Sequence, residues 1–264
     1  MIDKAVSNKP LAALICGYER GGTTLISEIL RQHPHIYSGF ECGFLLSDRP
    51  ADFPSLQPYC DLLKAGWLIS DANLDYICQA NSWIEVYRRL AERSPMVEDK
   101  SAWIFDKTPK YMRFLNQVLN KMPGIPCILI VRDPRAVIHS WARRSPDIQQ
   151  WLTTQLQVHC DRYAAYARGY TDALQQGQGS RILRIQYEAL CQNSLSEVKK
   201  IFEFLNFDFD PTYLTFDYGG KFANLYGDTV SVEYLQRYQQ DFSEETCQQI
   251  LAATQEAQDW FWER

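Results

Sequence analysis

A chain of 264 residues, 46% hydrophobic and 22% charged, has ordinary globular composition and enough length for one sizeable domain spanning residues 1–264. Its formal net charge of −5 excludes a global field that would attract nucleic acid or an acidic membrane, so an anionic ligand has to be met by a local group of cations. Eight scattered Cys without a C-x-x-C pair, no run of transmembrane length and no signal-peptide pattern lead to the expectation of free thiols, a cytoplasmic location and no membrane anchor.

In chain order, LAALIC reads as a buried strand and TTLISEILRQ as the helix after it, with Leu25, Ile26, Ile29 and Leu30 on one face. IYSGFE reads as a second strand. Residues from about 44 to 100 carry Pro, aromatics and short helical patterns such as NSWIEVYRRLAER, and are expected to form a helical cap over the substrate. SAWIFDKTP brings back a short strand, and CILIVRDP is the clearest buried one. Pro134 then suits the first turn of a helix running to about Arg144. A long helix is predicted from Trp151 to about Gln176, a strand at RILRIQYE, and a helix at SLSEVKKIFEFL, where Ser194 and Glu197 have capping-box spacing. The tail DFSEETCQQILAATQEAQDWFW reads as helical. Strands alternating with helices predict an α/β fold, a parallel sheet flanked by helices, with ligands at the carboxyl ends of the strands.

The loop in LAALICGYERGGTTL has the glycine separation of a Walker loop, G-x-x-x-x-G-K-[ST], at Gly17 and Gly22. Thr23 stands where the lysine belongs, and Thr24 keeps the hydroxyl. The glycines permit a tight turn whose amides face one anion at a helix amino end. The ammonium that reaches β- and γ-phosphates is missing, and a cation stands earlier instead, at Arg20. Taken alone, the same residues also fit a tight turn that holds no ligand. VRDPRAVIHSWARRS offers a second anion site: Arg132 ends a strand, Ser140 and Arg144 share a helix face, and Arg143 points about 100° away. A solvated basic helix paired through Asp133 fits that stretch as well. Together the two stretches call for a ligand with two separated anionic ends.

With both motifs in view, the chain resembles the sulfotransferases that use 3′-phosphoadenosine-5′-phosphosulfate (PAPS). ERGGTTL resembles their 5′-phosphosulfate loop and RDPRAVIHS their 3′-phosphate motif; DKTP at 106–109 and RIQYEAL at 184–190 follow the family's order. The pattern is most similar to the tyrosylprotein-sulfotransferase-like and bacterial branch. The resemblance implies a P-loop-like, nucleotide-kinase-like fold and metal-independent transfer of a sulfuryl group to a hydroxyl. It implies that Gly21, Gly22, Thr23 and Thr24 hold the 5′-phosphate and that Arg20 lies beside the transferring group. Arg132, Ser140 and Arg144 would hold the 3′-phosphate, with Tyr187 near the nucleotide. Glu41, after His33-Pro34, would be the general base, and Lys107 of DKTP would stabilise the leaving oxygen.

Read without the resemblance, Glu41 is also compatible with an exposed strand-end position and Lys107 with a salt bridge to Asp106. His35 and His139 lie near the motifs but read as packing residues, and Lys221 or Arg237 are candidates for closing over the donor. Phe44, Phe53, Tyr59, Trp67 and Trp83 are read either as core or as walls for a small or carrier-bound hydroxyl acceptor. A kinase with a degenerate P-loop, or a nucleotide-binding protein without catalysis, are the alternatives.

Overall fold

The alternation of side chains along LAALICG decides the layering of this protein. In the computed structural model, which describes residues 11–216 and 230–262, this stretch forms β1 (Leu11–Gly17), buried along its whole length. Leu14 and Cys16 face one apolar cluster, whereas Ala13 and Ile15 face another on the opposite side of the sheet. The chain then runs through α1 (Thr23–Arg31), β2 (Ile36–Tyr37), α2 (Tyr59–Trp67), α3 (Asp71–Cys78) and α4 (Trp83–Arg93) to β3 (Trp103–Lys107). α5 (Leu115–Lys121), β4 (Cys127–Val131), α6 (Pro134–Ala142), α7 (Ile148–Gln175), β5 (Ile182–Gln186), α8 (Tyr187–Gln192) and α9 (Ser194–Leu205) follow. α10 (Glu244–Ala253) and α11 (Gln255–Trp262) end the described residues.

The sheet has the order β2-β3-β1-β4-β5, and every pairing is parallel. Helices cover both faces, as an all-parallel sheet requires. Because the strands run the same way, Gly17, Lys107, Val131 and Gln186 end on one edge, and the loops after them converge there. No helix among the described residues is long and apolar enough to cross a membrane. All eight cysteines are buried as free thiols.

The structure corrects several expectations. The second strand stops at Tyr37, because Gly39 approaches the backbone of Gly66 so closely that a Cβ would lie 2.4 Å from the Gly66 oxygen. α7 starts three residues early because Asp147 caps it, accepting from the Gln150 amide at 2.9 Å. The predicted capping box at Ser194 does not form. Asn193 is the cap residue, its carbonyl accepts from the Glu197 amide at 3.1 Å, and the Glu197 side chain pairs with Lys200 instead. Residues 44–100 do carry α2, α3 and α4, yet Phe44, Phe53 and Trp67 are wholly buried and Tyr59 nearly so. Of the two readings of these aromatics, the core one holds for these four, and Trp83 packs against the same cluster partly buried.

Candidate active site

The turn after β1 is shaped by two glycines and one arginine. A Cβ at Gly17 would lie 2.5 Å from the Ile130 oxygen, and one at Gly22 would lie 2.3 Å from the Tyr187 ring, so side chains are excluded at both ends of the loop. Gly22 has a φ of 104° and Arg20, which is not a glycine, a φ of 69°; the loop therefore carries backbone strain at Arg20. Tyr18 anchors the turn by stacking on Tyr163 at 3.9 Å, and the Gly21 amide closes it on the Tyr18 oxygen at 2.9 Å. Gly22 caps α1 without a side chain, and the Leu25 and Ile26 amides bond back to the Gly22 oxygen at 3.0 and 3.4 Å, so the amides at the very start, of Thr23 and Thr24, are the ones with no intrahelical acceptor. A helix start of this kind is able to receive an anion.

The second basic stretch packs directly against it. Arg132 donates through Nη1 to the Arg20 oxygen at 3.1 Å, and its guanidinium carbon lies 4.1 Å from the centre of the Tyr187 ring. Arg20 in turn donates from Nε to Ser140 Oγ at 3.0 Å. The strained arginine is thus held at its carbonyl and at its side chain by the two residues expected to serve the other anion. The Nε of Arg132 is buried and has no partner among the described residues.

One cavity of about 270 Å³ joins the two stretches; Arg20, Gly22, Thr23 and Thr24 line it together with Arg132, Ser140, Arg144 and Tyr187. Gly21 sits behind the wall, in the turn. Arg143 also lines the cavity, contrary to the projection from helical spacing. The reason is local: α6 ends at Ala142 and the Arg144 amide bonds back three residues, to the Trp141 oxygen, so the last turn tightens and both arginines reach the rim. Arg237 lines it from the far side, while Lys221 lies outside the described residues.

Lys107, at the end of β3, and Glu41, in the stretch after β2, are partners; neither is among the residues that line this cavity. Lys107 Nζ lies 3.0 Å from Glu41 Oε1, with 4% and 17% of the two side chains exposed. Asp106 is not the partner of Lys107. Burial holds the Glu41 carboxyl above its ordinary range and the Lys107 ammonium below its own, while their mutual attraction opposes both shifts. The charge of Glu19, the neighbour of Arg20, raises Glu41 further. Lys107 also sits 4.2 Å from the centre of the Phe40 ring.

A buried network fixes the segment that carries Glu41. Asp106 accepts from the hydroxyls of Tyr87 at 2.5 Å, Tyr111 at 2.7 Å and Thr108 at 2.8 Å. Thr108 Oγ1 accepts from the Gly43 amide at 3.0 Å, and Tyr111 from the Leu45 amide at 3.2 Å. Arg31 and the Trp67 indole donate to the oxygens of Gly39 and Phe40. Burial pushes the Asp106 carboxyl up despite the three hydroxyls and the Cys42 amide that donate to it. Asp106→Ala would strand those hydroxyls in the core, and the expected loss is about 3 kcal/mol of stability in denaturant unfolding. A loss under about 1 kcal/mol would show that the network re-forms without its acid.

The Sulfotransferase family model matches residues 12–211, a span that contains the loop, the basic stretch, Glu41 and Lys107. The chain belongs to the sulfotransferase family. It is an enzyme of that class, and its parallel sheet flanked by helices is the P-loop-like fold of sulfotransferase domains. A putative protein-tyrosine sulfotransferase of Caenorhabditis briggsae is 25% identical over 209 residues, covering 79% of this chain and 70% of that protein. Other curated relatives are matched over about half of their length. Among solved structures, the sulfotransferase domain of the Synechococcus PCC 7002 olefin synthase superposes with a TM-score of 0.65 at 20% identity, over 93% of this chain and 94% of that one. Mouse sulfotransferase SULT7A1, solved with PAP, gives 0.53 at 14% identity, over 95% and 84%.

Two features of this sulfotransferase escape sequence reasoning. Arg143 was hidden by the assumption of a regular last turn. The acid–hydroxyl network joins positions with no common motif, such as Tyr87 and Asp106, and only the adjacency of Asp106 to Lys107 hints at it.

Proposed function

We propose that the chain transfers a sulfuryl group from PAPS to a hydroxyl group of a small-molecule or carrier-bound acceptor. The observation that carries this reading is that the Gly-rich loop and the Arg132–Arg144 stretch line one cavity. A single adenosine bisphosphate spans two such anion sites. The donor set fits it: a cradle at Gly22 with no room for a side chain, an uncapped helix start, and an unpartnered buried nitrogen on Arg132. Thr23 and Thr24 with the Gly22 amide would hold the 5′-phosphate, whereas the Gly21 amide, expected to join them, is taken by the Tyr18 oxygen; Arg132, Ser140 and Arg144 would hold the 3′-phosphate, with Tyr187 beside the nucleotide. PAPS supplies the sulfuryl group.

The remaining work belongs to Glu41, Lys107 and Arg20. Lys107 engages Oε1 of Glu41, so the acceptor's proton goes to Oε2. Once Glu41 is neutral, Lys107 loses its counter-charge, and its ammonium turns to the negative charge growing on the leaving oxygen. Arg20, whose Nε is held by Ser140, would set its guanidinium charge beside the transferring group.

Titration calorimetry in EDTA, with PAP compared against ATP and ADP, tests the reading. PAP is expected to bind most tightly; a preference for ATP would return the chain to the phosphotransferases. SULT7A1 was solved with PAP, which makes it the natural positive control. A screen of hydroxylated metabolites and carrier-bound hydroxyl compounds with labelled PAPS then identifies the acceptor.

A further inference from the structure

The wall of the cavity opposite the Gly-rich loop comes from residues late in the chain, and one buried contact fastens it to the helix that follows Arg132. His139, near the end of α6, has 5% of its side chain exposed, and its Nε2 lies 2.7 Å from Asp241 Oδ2. Its ring meets Phe242 edge-on at 5.2 Å. Arg135, one turn earlier, lies 4.8 Å from the centre of the buried Tyr238 ring. These fixings hold the stretch that presents Tyr234 and Arg237 to the cavity, and His139 itself lines the same space.

The charges around His139 are unevenly set. Asp241 favours a charged ring, whereas Arg143 from the end of its own helix, Arg237 from the opposite wall and burial all disfavour it; burial leads, and the imidazole is held below its ordinary value. α7 and α10, which also pack against α6, contribute Cys160 and Cys247 to the cluster around Ile138. Both stay neutral thiols, because burial pushes them up, Cys160 to about 11. A neutral His139 must carry its proton on Nε2 to donate to Asp241, so a second proton converts this hydrogen bond into an ion pair.

We propose that His139 and Asp241 form a proton-linked clasp that positions the carboxyl-terminal wall of the donor cavity, closing as an ion pair when an anionic nucleotide is bound. An anion lying among Arg143, Arg237 and His139 offsets the two guanidiniums that keep the ring uncharged. Binding therefore draws a proton onto His139, and affinity rises as pH falls through the interval between the pKa values of the free and bound states. His139 is a positioning residue here, acting through the wall that carries Tyr234 and Arg237. The inference rests on the donor reading above.

Titration calorimetry of PAP with the full chain near pH 7, in two buffers of different ionisation enthalpy, counts the protons taken up. Wild type is expected to take up more than His139→Gln, since the nucleotide's own phosphates contribute equally to both. Raising the pH should weaken PAP binding to wild type by about tenfold for each unit by which the nucleotide raises the His139 pKa, a component the variant lacks. Asp241→Asn, at a more exposed position, keeps a hydrogen-bond acceptor but not the charge, and should also reduce uptake. Equal proton uptake in wild type and either folded variant, with PAP still bound, would overturn the clasp. Absence of PAP binding by wild type would instead retire the donor reading.

Discussion

Glu41→Gln is expected to lower turnover by about 10²- to 10⁴-fold while PAP affinity stays within about twofold, as measured with the acceptor found by the labelled-donor screen. The amide keeps the size of the carboxylate and a carbonyl for Lys107, 3.0 Å away, but has no basic oxygen to receive the proton. The pH profile carries the same information. Glu41 must be unprotonated, and burial raises its pKa, so the acidic limb of the wild-type rate should lie above the usual carboxylate range. Lys107 must stay charged, and burial lowers its pKa, so the basic limb should lie below the usual lysine range. Both limbs belong to the coupled pair rather than to either residue. The variant should lose the acidic limb. Unchanged turnover would remove Glu41 from the chemistry.

Arg132→Ala should weaken PAP binding by roughly 10- to 150-fold, the range expected when a charge-assisted hydrogen bond of about 1.5–3 kcal/mol is lost. Adenosine 5′-phosphosulfate, which lacks the 3′-phosphate, should lose far less. Some loss is expected for both ligands, because Arg132 also supports the Arg20 carbonyl and covers the Tyr187 ring. Arg132→Lys should fall between wild type and Ala: it restores the charge but not the planar fork that serves the carbonyl, the ring and an anion together. Equal losses for the two nucleotides would mean that the 3′-phosphate is held elsewhere.

The parts of the site that were legible in the sequence share a physical cause, which is that short-range spacing generates them. Gly17 and Gly22 bracket a loop between a strand and a helix, and that order dictates a tight turn at a helix start wherever the rest of the chain goes. Arg132 at a strand end and Ser140 on the following helix are likewise local statements. Parallel strands then bring both stretches to one edge of the sheet, which the strand–helix alternation already implied.

Contacts between distant positions were not legible. Whether Lys107 pairs with Asp106 beside it or with Glu41, 66 residues away, depends on which carboxylate already has partners. Asp106 points into the core and takes three hydroxyls, so it is spent, and alternation along β3 turns Lys107 the other way. His139 found Asp241 across 102 residues for the same kind of reason, through packing on α6 that no local period records.

By itself, then, the sequence determined the alternation of strands and helices, the Gly-rich and basic stretches that line one cavity and the family, because these follow from periodicity and from glycine and proline chemistry over a few residues. Only the tertiary structure decided which carboxylate Lys107 meets, that Phe44, Phe53, Tyr59 and Trp67 fill a core, that Arg143 joins the cavity and which late residues line its far wall. Those outcomes turn on side-chain burial and hydrogen-bond competition among residues far apart in the chain, and such competition is resolved only when the layers pack.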